Sequence, residues 1–161
     1  MSDPESGAAG APVGEGDPAP GFRLPTEDGE ASLEDYEGAL VLYFYPKDDT
    51  SGCTKQAIAF SERLAEFEAA GARVLGVSKD PVAKHARFRA KHDLAVPLAS
   101  DEEAEALRAY GVWKEKSMYG RTYMGIERST FLVRDGRIAR AWRKVRVPGH
   151  VDEVLEAVKA L

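Results

Sequence analysis

The sequence has a single cysteine, Cys53, and no apolar run long enough to cross a bilayer. One cysteine cannot form an internal disulfide, so the fold does not require an oxidising compartment. The N-terminal residues include early acids and lack both the basic stretch and the apolar stretch of a signal peptide. These absences predict a cytoplasmic protein that does not act on membranes.

An excess of positive charge is also missing, because 27 Asp and Glu residues outnumber 22 Lys and Arg and leave a net charge of -5. A negatively charged chain is disfavoured as a partner of nucleic acid or of an anionic membrane. The three histidines follow no metal-ligand spacing, and the sequence has no glycine-rich phosphate loop. We therefore expect neither a metal site nor a cofactor.

Residues 1–16 differ in composition from the rest of the chain, since they are mostly Gly, Ala, Pro and acids. Such a composition predicts a flexible N-terminal tail. The remaining residues, 17–161, contain no internal repeat and no second linker, and their number suits one domain with its own core. The sequence therefore predicts a tail followed by a single domain.

Within that domain, apolar patterns typical of strands alternate with patterns typical of helices. Residues 39–45 form a continuous apolar run, as in a central strand covered on both faces. The other predicted elements are a hairpin at 22–33, helices at 53–70, 81–92, 102–109 and 151–161, strands at 73–78 and 96–98, and a hairpin at 130–142. This order predicts an α/β protein with an N-terminal β-hairpin and a central mixed sheet between helices, which resembles the thioredoxin-like fold.

Several local features receive a structural interpretation. Asp80 is expected to cap a helix with Pro81 at its first position, and the acids at 101–103 to lie in a first helical turn. The basic stretch 134–146 is predicted to be the solvated face of a hairpin, with anion binding as the alternative. One further cluster is predicted to be a loop that either walls a site or simply packs: Met118, Tyr119, Tyr123 and Met124.

Cys53 lies where the central strand has ended and a helix begins. Ligands of open α/β sheets bind at the carboxyl ends of strands, and a helix N-terminus offers free N–H groups and partial positive charge. Both effects favour the thiolate, which is the nucleophilic form. Thr50 is close enough in sequence to donate a hydrogen bond to sulfur or substrate, and Gly52 permits a close backbone approach. A small buried cysteine without chemistry is the alternative interpretation.

The letters PKDDTSGCT at 46–54 match the Pro-x-x-x-Thr-x-x-Cys pattern of peroxiredoxins. The stretch YFYPKDDT at 43–50 resembles the bacterioferritin-comigratory, or Q-type, subfamily. A second block, MGIERSTF at 124–131, agrees with it, and VSKD at 77–80 together with His85 and Phe88 gives weaker support. The resemblance extends from about residue 17 to the end of the chain.

This resemblance implies a role for each matching residue. Cys53 would attack the distal oxygen of a peroxide and become a sulfenic acid. Thr50 would hydrogen bond to the peroxide, Arg128 would stabilise the thiolate and hold the substrate oxygens, and Pro46 would shield the sulfur from water. Two more residues are assigned to substrate binding: Gly52 and Tyr45.

The sequence departs from the subfamily at two positions of the helix. Ile58 stands where many members have a resolving cysteine, and Gln56 replaces the usual Glu. The sequence therefore predicts a one-cysteine mechanism in which an external thiol reduces the sulfenic acid. Thioredoxin, glutaredoxin and a low-molecular-weight thiol such as glutathione are the candidate reductants, and the resemblance implies a monomer or a weak homodimer.

Two other functions stay open from the sequence alone. A thiol-disulfide transfer enzyme can use the same fold, although such enzymes usually have Cys-x-x-Cys and leave Thr50 and Arg128 without a task. A non-enzymatic redox sensor or a holdase, which shields unfolded chains, is the second alternative. A holdase would keep its activity in Cys53→Ser, whereas a peroxidase would not.

Overall fold

The computed structural model describes residues 13–161, so the first twelve positions of the predicted tail lie outside the described residues. The strands are β1 (Arg23–Thr26), β2 (Gly29–Ser32), β3 (Ala39–Phe44), β4 (Ala72–Ser78), β5 (Leu98–Ser100), β6 (Trp113–Met118), β7 (Arg121–Ile126), β8 (Ser129–Arg134) and β9 (Arg137–Trp142). The helices are α1 (Ser51–Ala69), α2 (Val82–His92), α3 (Glu105–Ala109) and α4 (His150–Lys159), with a short 3₁₀ turn at Leu33–Asp35.

Seven strands form one sheet in the order β2-β1-β5-β4-β3-β8-β9, with β3 near its centre. Strands β3, β4 and β5 are parallel, whereas β8 runs antiparallel to β3. All six residues of β3 are buried, and alternate side chains enter the cores on the two faces of the sheet. Helices α1, α2 and α4 contribute to one core and α3 to the other. The predicted mixed α/β, thioredoxin-like fold with an N-terminal hairpin is confirmed.

The β3–β4 register explains one glycine of the core. Gly76 lies opposite Tyr43, and a Cβ atom built at Gly76 would be 2.6 Å from the ring of Tyr43. No side chain fits at that distance, so the glycine lets the tyrosine lie flat over the sheet. The ring of Tyr43 then stacks on Phe60 of α1, with their centroids 4.5 Å apart. This contact anchors α1 to the strand that precedes it.

Strands β6 and β7 form a separate two-stranded sheet that the sequence did not predict. The cluster that was expected to be a loop lies on this hairpin, and Tyr119 occupies its turn with a φ of 54°. That expectation was wrong because residues 114–117 of β6 are four consecutive polar residues and β7 begins with Arg121 and Thr122. Polar residues on both faces remove the alternating pattern by which a strand is recognised.

The starts of α2 and α3 also differ from the expectation. Pro81, not Asp80, is the residue that precedes α2, and the carboxylate of Asp80 instead accepts hydrogen bonds from the backbone of Asp48 and from Ser78. Helix α3 begins only at Glu105, because Asp101 accepts hydrogen bonds from the N–H groups of Glu105 and Leu107. The acids at 101–103 therefore form a hydrogen-bonded turn before α3 and are not part of the first turn of that helix.

The basic stretch 134–146 does not lie wholly in solvent. The guanidinium of Arg143 is half-buried and donates hydrogen bonds to the carbonyls of Val13, Tyr110 and Gly111. Arg137 donates to the carbonyl of Gly16, and the N–H of Gly16 donates to the Ile138 carbonyl. Residues 13–16 are thus attached to β9 and the segment after it. Among residues 13–161, no helix combines the length and apolar character needed to span a bilayer.

Candidate active site

Cys53 is the third residue of α1, at the end of the sheet where β3 finishes. The first hydrogen bond within the helix runs from the N–H of Thr54 to the carbonyl of Thr50. The N–H groups of the first three helical residues, including that of Cys53, have no earlier carbonyl within the helix to bind. The side chain of Cys53 is almost fully buried, with 2% of it exposed. A thiolate at this place is stabilised by the positive end of the helix.

Arg128 reaches this sulfur from a distant part of the sequence. The antiparallel pairing of β8 with β3 places Ser129 opposite Phe44, so Arg128 lies beside the carboxyl end of β3. Its Nη2 atom is 3.4 Å from Sγ of Cys53. Its Nη1 atom donates a hydrogen bond of 2.6 Å to Oε1 of Gln56, one turn along α1 from the cysteine. The permanent positive charge of the guanidinium therefore lies against the thiol.

Gly52 provides the space for this approach. A Cβ atom built at Gly52 would lie 3.1 Å from Nη2 of Arg128, closer than most side chains tolerate. The glycine was predicted to bind substrate, and the structure places it next to the guanidinium that faces the sulfur. Its direct effect is to leave room for Arg128.

Thr50 directly precedes α1, in extended conformation. Its hydroxyl donates a hydrogen bond of 2.8 Å to the carbonyl of Lys47. The hydroxyl proton is thus used within the loop, and the oxygen is left to accept a hydrogen bond. The sequence suggested that Thr50 donates toward sulfur or substrate, whereas the structure presents it as an acceptor.

Pro46 and Tyr45 follow directly after β3 but differ in their surroundings. Pro46 is exposed, and Tyr45 is buried with 1% of it exposed. The hydroxyl of Tyr45 donates a hydrogen bond of 2.5 Å to Oδ1 of Asp48. Burial, together with neighbouring Tyr43 and Asp48, raises the pKa of Tyr45, so its hydroxyl keeps its proton. The Tyr45 hydroxyl is therefore committed to Asp48 inside the protein.

A buried pair that the sequence did not single out lies below this loop. Nδ1 of His85 is 2.6 Å from Oδ2 of Asp48, and Nε2 of His85 is 3.1 Å from the carbonyl of Ala99. A carbonyl can only accept, so Nε2 carries a proton and a second proton is shared between Nδ1 and Asp48. The one available signal was the occurrence of Asp48 and His85 in the stretches that resemble the Q-type subfamily.

Two further contacts fix the same loop to neighbouring segments. The N–H of Asp48 donates to the carboxylate of Asp80. Burial raises the pKa of Asp80, but the hydrogen bonds from Asp48, Ser78 and Lys84 outweigh burial, so the pKa of Asp80 is lowered. The side chain of Asp49 accepts hydrogen bonds from Lys91 and His92 at the end of α2, which lower the pKa of Asp49. The loop that leads into Cys53 is thus held on α2 at both aspartates.

The position of the usual resolving cysteine is occupied by an apolar side chain. Ile58 is half-buried on α1 and packs against the core that also contains Cys53. The full sequence has no other cysteine. The sulfur of Cys53 therefore has no thiol within its own chain with which to form a disulfide.

A thioredoxin-like fold with one cysteine at a helix N-terminus and a guanidinium against its sulfur defines a thiol-dependent peroxidase. Residues 15–141 match the model of the AhpC/TSA family, and the chain belongs to that family, as a peroxiredoxin of the Bcp, or Q, type.

The similarity to known proteins extends over nearly the whole chain. Peroxiredoxin Bcp of Xanthomonas campestris is 49% identical over 148 residues, which cover 89% of this chain and 92% of that protein. Peroxiredoxin Bcp of Bacillus subtilis is 46% identical over 147 residues, covering 89% and 94%. A solved structure of the X. campestris bacterioferritin comigratory protein, studied for its alkyl peroxide reduction activity, superposes with a TM-score of 0.82 at 48% identity, covering 86% and 90% of the two chains.

Proposed function

We propose that the protein reduces hydrogen peroxide and organic hydroperoxides through Cys53, and that an external thiol regenerates the cysteine. The observation that carries this proposal is the 3.4 Å contact between Nη2 of Arg128 and Sγ of Cys53. A guanidinium at this distance favours the thiolate and can also hold the oxygens of a bound peroxide. The alkyl peroxide reduction activity of the X. campestris relative supports organic hydroperoxides as substrates.

In the first step, the thiolate of Cys53 attacks the terminal oxygen of the peroxide. A sulfur–oxygen bond forms as the oxygen–oxygen bond breaks, and the departing hydroxide or alkoxide takes a proton to become water or an alcohol. Arg128 lies where it stabilises the negative charge on these oxygens. The oxygen of Thr50, whose own proton is bonded to Lys47, accepts the hydrogen bond of the peroxide O–H group.

The other predicted site residues support these two. Gly52 keeps Arg128 close to the sulfur, because a larger side chain would displace the guanidinium. Pro46 limits the access of water to the sulfur from the exposed side of the loop. Tyr45 acts through Asp48, which it holds with its buried hydroxyl, and its contribution to substrate binding is limited to shaping the loop.

In the second stage, an external thiol attacks the sulfenic acid of Cys53 and releases water, which leaves a mixed disulfide. A second thiol then attacks this disulfide and returns the cysteine to its reduced form. Thioredoxin, glutaredoxin and a low-molecular-weight thiol such as glutathione all supply this chemistry. The absence of any second cysteine from the sequence supports an external thiol. The cytoplasmic location and the monomer or weak homodimer stay predictions.

The proposal is tested by mixing the reduced protein with one equivalent of hydrogen peroxide, adding dimedone and measuring the intact mass. We expect a single dimedone adduct on the wild-type chain and none on Cys53→Ser. An unmodified wild-type protein would reject the peroxidase mechanism and favour a thiol-transfer enzyme. A holdase is distinguished by aggregation assays, because its activity would persist in Cys53→Ser.

A further inference from the structure

Gln56 forms a contact that aims the guanidinium of Arg128. Its side chain is fully buried, one helical turn after Cys53, and its Oε1 atom accepts a hydrogen bond of 2.6 Å from Nη1. The other terminal nitrogen of the same guanidinium, Nη2, faces the sulfur at 3.4 Å. The guanidinium is planar and rigid, so fixing Nη1 on Gln56 also fixes where Nη2 points.

The amide orientation follows from hydrogen-bond chemistry. Arg128 can only donate, so the atom of Gln56 that faces it must be the carbonyl oxygen. The amide nitrogen then has no protein partner among residues 13–161. The one hydrogen bond of this enclosed side chain within the described residues is therefore the bond to Arg128.

The acceptor at this position is neutral, which leaves the charge of Arg128 free to act on the thiolate. None of the ion pairs formed among residues 13–161 involves Arg128. The titratable groups that interact with Cys53 or Arg128 include Tyr43 from β3 and His150 from α4, and Tyr43 also interacts with Asp48 from the loop. Asp48 is already bonded to His85, and burial keeps Tyr43 protonated.

We propose that Gln56 is a positioning residue that holds Arg128 on the sulfur without neutralising its positive charge. This inference rests on the proposed function, in which the Cys53 thiolate is the attacking group. A carboxylate at position 56 would hold Arg128 equally well but would neutralise it and would repel the thiolate one turn away. The neutral amide of Gln56 thus orients the guanidinium and leaves its positive charge unneutralised.

The experiment compares Gln56→Glu with the wild type by following the ultraviolet absorbance of the thiolate against pH. We expect the midpoint of thiolate formation to rise by about one pH unit, and the alkylation rate by iodoacetamide below that midpoint to fall about tenfold. The matched control is Ala65→Glu, which adds the same charge at an exposed position of α1 and should leave both quantities unchanged. An unshifted midpoint in a folded Gln56→Glu protein overturns the inference.

A second variant tests positioning without a change of charge. Gln56→Met removes the oxygen that accepts the hydrogen bond of Arg128, so the guanidinium is no longer held in place. The rate constant with hydrogen peroxide should then fall at high pH, where Cys53 is already fully ionised. An unchanged rate at that plateau overturns the inference even if Gln56→Glu fails to fold. Because alkylation and absorbance do not require peroxide, a shifted midpoint in a protein that does not react with peroxide would reject the proposed function and leave this inference standing.

Discussion

Nδ1 of His85 lies 2.6 Å from Oδ2 of Asp48, and neither side chain is exposed to solvent. The two residues are 37 positions apart and join the loop after β3 to α2. Thr50 and Cys53 follow that loop directly, so the geometry at the sulfur depends on a pair of ionisable groups inside the protein. Enclosed pairs of this kind are sensitive to the loss of either member.

We therefore expect His85→Leu to lower the free energy of unfolding by about 3 kcal/mol, because Asp48 would be left enclosed without its partner. Urea denaturation measures this loss. The double variant with Asp48→Asn removes the unpaired carboxylate, so its loss should be smaller than the sum of the two single losses. Additive losses would show that the two side chains are not coupled.

Arg128→Lys should slow the reaction with hydrogen peroxide about a hundredfold, because one ammonium group cannot bind Gln56 and the sulfur in the fixed geometry of a guanidinium. Rapid-mixing measurements of the loss of free thiol give the rate constant. Arg121→Lys, at an exposed position of β7, is the matched control and should react at the wild-type rate. Equal rates for the two variants would remove Arg128 from the mechanism.

Excess peroxide in the absence of thiol should inactivate the wild-type protein, because an uncapped sulfenic acid is oxidised further to sulfinic acid. The intact mass would then show two added oxygens, and activity would not return when thiol is added. Full recovery on adding thiol would contradict this expectation.

Ile58→Cys should protect against that inactivation by forming a disulfide with Cys53, detected as the loss of two hydrogens from the intact mass. Residues five positions apart on a helix are too distant for a disulfide, so the first turn of α1 must unwind for this bond to form. Ile58→Ser is the matched control, since it opens the same packing without a thiol and should remain sensitive to peroxide. Equal sensitivity of the two variants would mean that α1 does not unwind.

His150 should make the protein less stable in acid. Burial lowers the pKa of His150 from 6.5 to about 4, although Glu153 acts in the opposite direction. The unfolded chain therefore binds more protons than the folded one between these values. This contribution to stability is present above about pH 6.5 and is lost as the pH falls toward 4, up to about 3 kcal/mol.

Urea unfolding at both ends of this pH range measures the effect. His150→Gln should show a smaller loss than the wild type, because it removes the buried imidazole that must take up a proton in acid. An equal loss in wild type and His150→Gln would assign the acid sensitivity to other groups.

The elements with a strong apolar pattern could be predicted from the sequence, and those held by polar contacts could not. Strand β3 is a continuous apolar run because both of its faces are covered, and it was placed within one residue of its observed end. The β6–β7 hairpin has too few apolar residues to show a period. Helix α3 starts later than predicted because Asp101 accepts two backbone hydrogen bonds. Amino-acid composition does not reveal such bonds.

The site was predictable where its residues are local in sequence. Cys53, Gly52 and Thr50 fall in one motif at a helix start, and Arg128 was assigned through the second block of resemblance. The pair of Asp48 and His85 depends on how α2 packs below the loop, which no local pattern encodes. The direction of the Thr50 hydroxyl likewise depends on the carbonyl of Lys47, whose orientation is set by the fold.

The attachment of residues 13–16 has a practical consequence for cloning. An expression plasmid whose open reading frame started at Asp17 would delete the Val13 carbonyl that Arg143 binds and the Gly16 carbonyl that Arg137 binds. The partly enclosed cation of Arg143 would keep its bonds to Tyr110 and Gly111 and lose the third. Affinity tags and protease cleavage sites are therefore best inserted upstream of Val13. The protein left after cleavage then keeps the carbonyls that Arg137 and Arg143 bind.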